Sequence, residues 1–124
     1  MNFEFVTSNR IIFGNGSLSK LATLVPDFGH CALVVTGSGS VPLEKLLRIF
    51  DQENIRCEIF RVHGEPDIVT IEQGYAMSSA TKCDFVIGFG GGASIDAAKA
   101  ISAMMTNPGD LMEHLEVIGA GKPI

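Results

Sequence analysis

Three consecutive glycines, Gly90, Gly91 and Gly92, separate an apolar run, Phe85-Val86-Ile87-Gly88-Phe89, from a segment of helical spacing, Ala93-Ser94-Ile95-Asp96-Ala97-Ala98-Lys99-Ala100. Glycines at such a junction let the backbone turn tightly and approach a ligand with no Cβ in the way. The first amides of the following helix have no acceptor within it and stand at the positive end of its dipole. Both features suit a phosphorylated ligand, a pyrophosphate above all. The spacing is neither Gly-x-Gly-x-x-Gly nor a loop closed by Gly-Lys-Ser/Thr, so neither common nucleotide fingerprint applies. A tight turn packing a helix on a strand is the plainer reading of the same residues.

A second stretch bears on ligand choice. The run Ala32 to Val35 leads into Thr36-Gly37-Ser38-Gly39-Ser40. In nucleotide-binding sheets an acidic residue closing an early strand accepts from a ribose 2′-hydroxyl and repels a 2′-phosphate. No carboxylate stands here, and the hydroxyls of Ser38 and Ser40 with neighbouring amides can hold a phosphate without repulsion. A third loop, Gly64-Glu65-Pro66-Asp67, follows the next apolar run, with Asp67 placed as N-cap to a helix from Ile68. Asp96 either orients a ligand or favours its helix N-terminus electrostatically, and Lys99, one turn on, reads as a structural ion-pair partner. His30, His63 and His114 are scattered without metal-ligand spacing, and no Ser-His-Asp or Cys-His arrangement is visible. No catalytic residue is assigned within these 124 residues.

The elements that must position these loops follow from periodicity. Cys31, Cys57 and Cys83 recur at even spacing, each followed by an apolar run: Ala32 to Thr36, Ile59 to Val62, and Phe85 to Phe89. Each run is too short for a helix and reads as a strand buried on both faces. The cysteines, odd in number and far apart in sequence, read as small buried hydrophobes rather than as a disulfide framework. Leu43, Leu46, Leu47 and Phe50 predict a helix from Pro42 to Glu53. Ile68, Ile71 and Tyr75 predict a second, in which Gly74 marks close packing or ligand approach. Ile95 to Met105 predicts a third, apolar nearly all round and therefore buried. Alternating strands and helices imply an α/β fold, a Rossmann-like parallel sheet with flanking helices. Ahead of it, Phe3 to Thr7 and Arg10 to Phe13 read as an N-terminal β-hairpin, followed by a helix near Ser17 to Leu24.

The 46% apolar content is that of one folded domain, and a net charge of −5 with nine Lys and Arg argues against nucleic acid or an anionic membrane as partner. No apolar run approaches a membrane span and the first ten residues have no signal-peptide character, so a cytoplasmic location is expected.

Gly90 to Ala100 resembles the Gly-Gly-Gly-Ser-x-x-Asp-x-x-Lys signature of iron-containing alcohol dehydrogenases, which share a fold with glycerol dehydrogenase and dehydroquinate synthase. Arg10-Ile11-Ile12-Phe13-Gly14-Asn15-Gly16 resembles the family's opening, Cys83 to Ile87 its pre-signature strand, and Asn107-Pro108-Gly109-Asp110 the turn after the signature helix. One departure is Ala93 at the usual serine, where the amide is kept and the hydroxyl lost. The resemblance implies a cofactor site built from Gly37, Ser38, Gly39, Ser40, Glu65, Gly90, Gly91, Gly92, Ala93, Ser94 and Asp96, with Glu65 near the adenosine ribose. NAD-preferring relatives carry Asp where Gly37 stands, so the cofactor expected is NADP, with NAD the alternative. The resemblance further implies that residues 1–124 are the dinucleotide-binding half of a two-domain dehydrogenase acting on a small alcohol or aldehyde. Its divalent metal, iron or zinc, would be bound by an Asp and three His of a helical domain outside this chain, and the 124 residues alone would be inactive. A homodimer through the strand Phe3 to Thr7 is expected. A non-catalytic nucleotide-binding or interaction module, and a dehydroquinate synthase-like or glycerol dehydrogenase-like relative, are the alternatives.

Overall fold

The computed structural model describes residues 8–39, 42–107, 109–115, 119 and 121. Two 3-10 segments, Ser17–Thr23 and Val25–Asp27, precede the alternation β1 (Cys31–Gly37), α1 (Glu44–Gln52), β2 (Arg56–Val62), α2 (Ile68–Thr81), β3 (Phe85–Phe89) and α3 (Gly92–Thr106). A last 3-10 turn covers Leu111–Glu113. The strands form one parallel sheet in the order β2-β1-β3, with Thr36 opposite Arg61 on one side and Phe89 on the other. This is the α/β, Rossmann-like parallel sheet with flanking helices that the periodicity implies.

Each face of the sheet carries its own core. Ala32 and Val34 of β1 pack with Val25, Leu46, Phe50 and Ile55, which places α1 and the 3-10 segments on one face. Leu33 and Val35 pack with Ile71, Ala97, Ile101 and Met104, which places α2 and α3 on the other. Two glycines set how closely these layers meet. A Cβ on Gly88 would stand 2.9 Å from Ala98 Cβ and 3.1 Å from Ile95 Cα, so α3 lies flush on β3. A Cβ on Gly74 would overlap the Ile101 side chain, so this helix-interior glycine serves α2–α3 packing.

Several expectations are corrected. Of the three strands, β1 alone is buried along its length; β2 and β3 are half-buried flanking strands because β1 takes the centre. Helix α3 is one-sided: Ser94, Ala97, Ala98, Ile101 and Met104 are buried, while Ile95, Asp96 and Lys99 face outward. Its alanines are small enough for either environment, so they gave no usable contrast. Arg10 to Phe13 form no strand, and Ile11 and Phe13 are 75% and 100% exposed. The other expected arm, Phe3 to Thr7, lies outside the described residues, as does the dimer contact assigned to it. Ser17 to Thr23 is 3-10 rather than α-helical: Ser19 and Thr23 hydroxyls donate to the carbonyls three residues back, at 2.9 and 2.8 Å, and Pro26 has no amide to extend the run. Helix α1 starts at Glu44, two residues later than Pro42. Strand β2 starts at Arg56, three residues earlier than Ile59.

The amino-terminal edge of the sheet is tied by one carboxylate. Asp84 accepts from the His30 and Cys31 amides at 2.7 and 2.9 Å, and these bonds hold its carboxyl below the usual carboxylate range. Gly29, at φ +138°, leaves room for that side chain where a Cβ would collide with it. Cys31 and Cys83 are buried as expected, whereas Cys57 is half-buried, and all three are free thiols.

Candidate cofactor site

Three loops leave the carboxyl-terminal ends of the parallel strands side by side: residues 63–67 after β2, 38–39 after β1, and 90–91 after β3. In open α/β sheets ligands bind in the crevice outside those ends, where successive connections pass to opposite faces. Here β1 connects to β2 through α1 on one face, and β2 connects to β3 through α2 on the other.

The glycine loop has the form expected of a phosphate cradle. Gly90 has φ +146°, a conformation that L side chains rarely adopt, and a Cβ there would also press to 3.1 Å from Ser94 Oγ. Gly91 is extended and caps α3 without any side-chain hydrogen bond. A Cβ on Gly91 or Gly92 would meet nothing within 4 Å, so packing does not require glycine at either position. The space beside them is open. Ile95 N–H closes the first helical turn on Gly91 O at 3.1 Å, which leaves the amides of Gly92, Ala93 and Ser94 without an acceptor inside the helix. The serine hydroxyl missing at Ala93 therefore removes no part of this amide set.

The structure brings the loops after β1 and β3 together around one buried hydroxyl. Ser94 is 3% exposed, and its Oγ lies 3.4 Å from where a Gly37 Cβ would be. Ser38 and Gly39 extend outward from there, exposed, while Ser40 lies outside the described residues. Glu65 is exposed beyond the β2 end, on the same edge of the sheet but one strand further from the glycine loop. Asp67 is committed to capping: its carboxylate accepts from Thr70 Oγ1 at 2.6 Å and Thr70 N–H at 2.8 Å, which holds it below the usual range. Asp96 pairs with Lys99 at 3.2 Å on the exposed side of α3, the ion pair expected for Lys99.

Three further residues belong to this edge and were not assigned to the site from sequence. Gly88 seats α3 against β3 and so fixes where the free amides point. Thr36 Oγ1 is buried with no hydrogen-bond partner, one residue before Gly37. Arg61, opposite Thr36 on β2, donates from Nη1 to Gly37 O at 3.5 Å, a long bond that nonetheless stations a cation beside the serine-glycine loop. The sequence signal for Arg61 is a basic residue near the end of a strand, legible only once the β1–β2 register is known. The open glycines, the uncapped amides, the orphaned Thr36 hydroxyl and this cation together fit a dinucleotide laid across the ends of β3 and β1. No group of three or more His, Cys, Asp or Glu side chains placed to hold a metal ion gathers among the described residues.

Comparison with known proteins identifies the family. Among curated proteins, a probable NADH-dependent butanol dehydrogenase of Bacillus subtilis is 31% identical over 88% of this chain and 29% of its own length. An NADPH-dependent butanol dehydrogenase of Clostridium saccharobutylicum is 30% identical over 85% of this chain and 28% of its own. A crystal structure of an iron-containing alcohol dehydrogenase superposes with a TM-score of 0.84 at 28% identity, covering 94% of this chain and 34% of that one. The chain thus spans under a third of the length of these curated relatives. The family profile for iron-containing alcohol dehydrogenases matches residues 8–124, from the segment before the first 3-10 turn through the glycine loop and beyond α3. With the signature glycines forming an open, uncapped cradle at the end of a parallel strand, this chain belongs to the iron-containing alcohol dehydrogenase family.

Proposed function

We propose that this chain is the dinucleotide-binding portion of a metal-dependent alcohol dehydrogenase or aldehyde reductase, and that it takes NADP in preference to NAD. The observation that carries the reading is the meeting of the Gly37 and Gly90 loops at Ser94, with open space at Gly91 and Gly92. When bound, the nicotinamide supplies the chemistry by accepting hydride from an alcohol or returning it to a carbonyl. The chain's own residues bind and orient. Amides of Gly92, Ala93 and Ser94 hold the pyrophosphate, Glu65 accepts from the adenosine ribose, and Asp96 faces the nicotinamide end. Gly37 to Ser40 receive the 2′-phosphate, with no carboxylate to repel it and Arg61 to meet its charge.

Relatives of similar identity carry names with either cofactor, so the preference rests on these side chains. The alcohol-activating metal and the second wall of the cleft belong, in this reading, to residues other than these 124. The chain alone then binds cofactor and does not turn over, because hydride transfer needs a held near-attack geometry. We further propose a cytoplasmic protein and a homodimer through Phe3 to Thr7, on the sequence alternation given above. The test is fluorescence titration of the chain with NADPH and NADH, beside an assay with small alcohols, aldehydes and added iron or zinc. Tighter NADPH binding without turnover is expected. Failure of both nucleotides to bind would sink the assignment, and tighter NADH binding would reverse the preference.

A further inference from the structure

At the opposite end of the sheet from the cofactor loops, two thiols face each other. Cys31 opens β1, and Cys83 lies two residues ahead of β3, the strand that pairs with it, just before the Ala32–Phe85 pair. Their sulfurs are 3.3 Å apart, both among the residues of the α2–α3 face. Arg56 donates to Cys31 Sγ from both Nε and Nη2, each at 3.2 Å, and is held in place by a further bond from Nη2 to the Thr81 carbonyl. A guanidinium so placed stabilises a sulfur carrying negative charge. Cys83 Sγ lies 3.2 Å from Thr81 Oγ1 and lines a cleft of about 150 Å³ with Tyr75, Ser78, Ser79, Lys82 and Met105. The sulfurs are therefore near each other, Cys31 is polarised by a cation, and Cys83 beside it lines the cleft by which a small oxidant can approach the pair, which packing alone does not require.

We propose that Cys31 and Cys83 form a reversible disulfide when the protein meets a hydroperoxide. In the first step the Cys31 sulfur attacks a peroxide oxygen: an S–O bond forms, the O–O bond breaks, and the departing hydroxide takes up the proton lost by the Cys31 thiol to leave as water. In the second, Cys83 attacks the resulting Cys31 sulfenic acid: the S–S bond forms, the S–O bond breaks, and the Cys83 proton leaves with the hydroxyl as a second water. Two thiols are oxidised and one peroxide is reduced by two electrons. The sulfurs close from 3.3 Å to a bond of about 2.05 Å, a movement within the reach of side-chain rotation. Cys57 takes no part.

The test treats the full 124-residue chain with hydrogen peroxide, blocks remaining thiols in denaturant and maps peptides by mass spectrometry. The expected first product is a Cys31–Cys83 crosslink with Cys57 alkylated, reversed by dithiothreitol and formed faster in the folded chain than in urea. Arg56→Met should slow its formation without changing the product. Cys31→Ser and Cys83→Ser, each checked for folding by circular dichroism, should give no intramolecular crosslink. Oxidation of Cys57 first, a crosslink between chains, or a folded chain no faster than the urea-treated one would each overturn the proposal.

Discussion

Replacing Gly37 with Asp tests the assignment of the 2′-phosphate site. The backbone at Gly37 lies outside the left-handed region, and a Cβ there meets Ser94 Oγ at 3.4 Å, an ordinary contact, so an aspartate can be built without disturbing the end of β1. Its carboxylate would stand about 5 Å from a 2′-phosphate held by Ser38 and Arg61, where one charge pair at an effective dielectric near 20 repels by about 3 kcal/mol. The phosphate carries nearly two charges, but the edge is exposed and salt screens it, so a net cost of about 2–3 kcal/mol is the working figure. That weakens NADPH roughly 30- to 150-fold. NADH instead gains an acceptor for its 2′-hydroxyl, worth about 0.5–1.5 kcal/mol, and should bind a few-fold tighter. Fluorescence titrations of both nucleotides at low and high ionic strength measure the switch, and the NADPH penalty should shrink with salt. Arg61→Gln should weaken NADPH about tenfold and leave NADH alone, as expected for one charge-assisted bond. Equal changes for the two nucleotides in Gly37→Asp, or an NADPH affinity that does not fall, would refute the placement of the phosphate.

Other substitutions probe the same edge and its support. Gly91→Asp should abolish binding of both nucleotides while the melting temperature stays put, because its Cβ meets open space and its carboxylate meets the pyrophosphate; retained NADPH titration would remove the cradle. Gly88→Val should cost about 1–3 kcal/mol in urea unfolding, since the new side chain must push α3 off β3 at Ala98 and at the Ile95 backbone. For Asp84 the sign follows from its lowered folded-state pKa: the stability it contributes is present above its unfolded value of about 3.9 and is lost as pH falls through the lower folded value. Asp84→Asn should therefore be less stable at neutral pH and show a shallower acid limb below about pH 4. An acid limb identical to that of the parent chain would show that the carboxylate does not tie the sheet edge.

The legible parts of the fold were those whose signal is local. An apolar Phe-Val-Ile-Gly-Phe run, three glycines and a helical repeat lie within sixteen residues, and together they disclose strand, turn, helix and the free amides between. Asp67 was likewise readable as a cap because its partner Thr70 is three residues away. What escaped depends on register between distant segments. Arg61 reaches the Gly37 carbonyl across 24 residues of sequence, and Cys31 meets Cys83 across 52, so neither pair leaves a trace in periodicity. Strand exposure escaped for a similar reason, because the order β2-β1-β3 decides which strand is central and composition does not encode that order. The 3-10 segments show local hydroxyl-to-carbonyl bonds competing with α-helical ones, a contest that spacing alone does not resolve.

The central position of β1 also bears on how this protein should respond to the proposed nucleotide in a heated or denatured sample. Gly37 and Gly90 are far apart along the chain and become neighbours only when β1 and β3 pair, so the unfolded chain has no equivalent of the proposed dinucleotide site. Mass action then makes every bound molecule count toward the native state. At a free concentration a hundred times Kd the folded form gains about 2.7 kcal/mol, independent of any chemistry the nucleotide performs. Occupancy is thus readable as a rise in melting temperature, ranked across nucleotides, with no alcohol, aldehyde or metal in the tube.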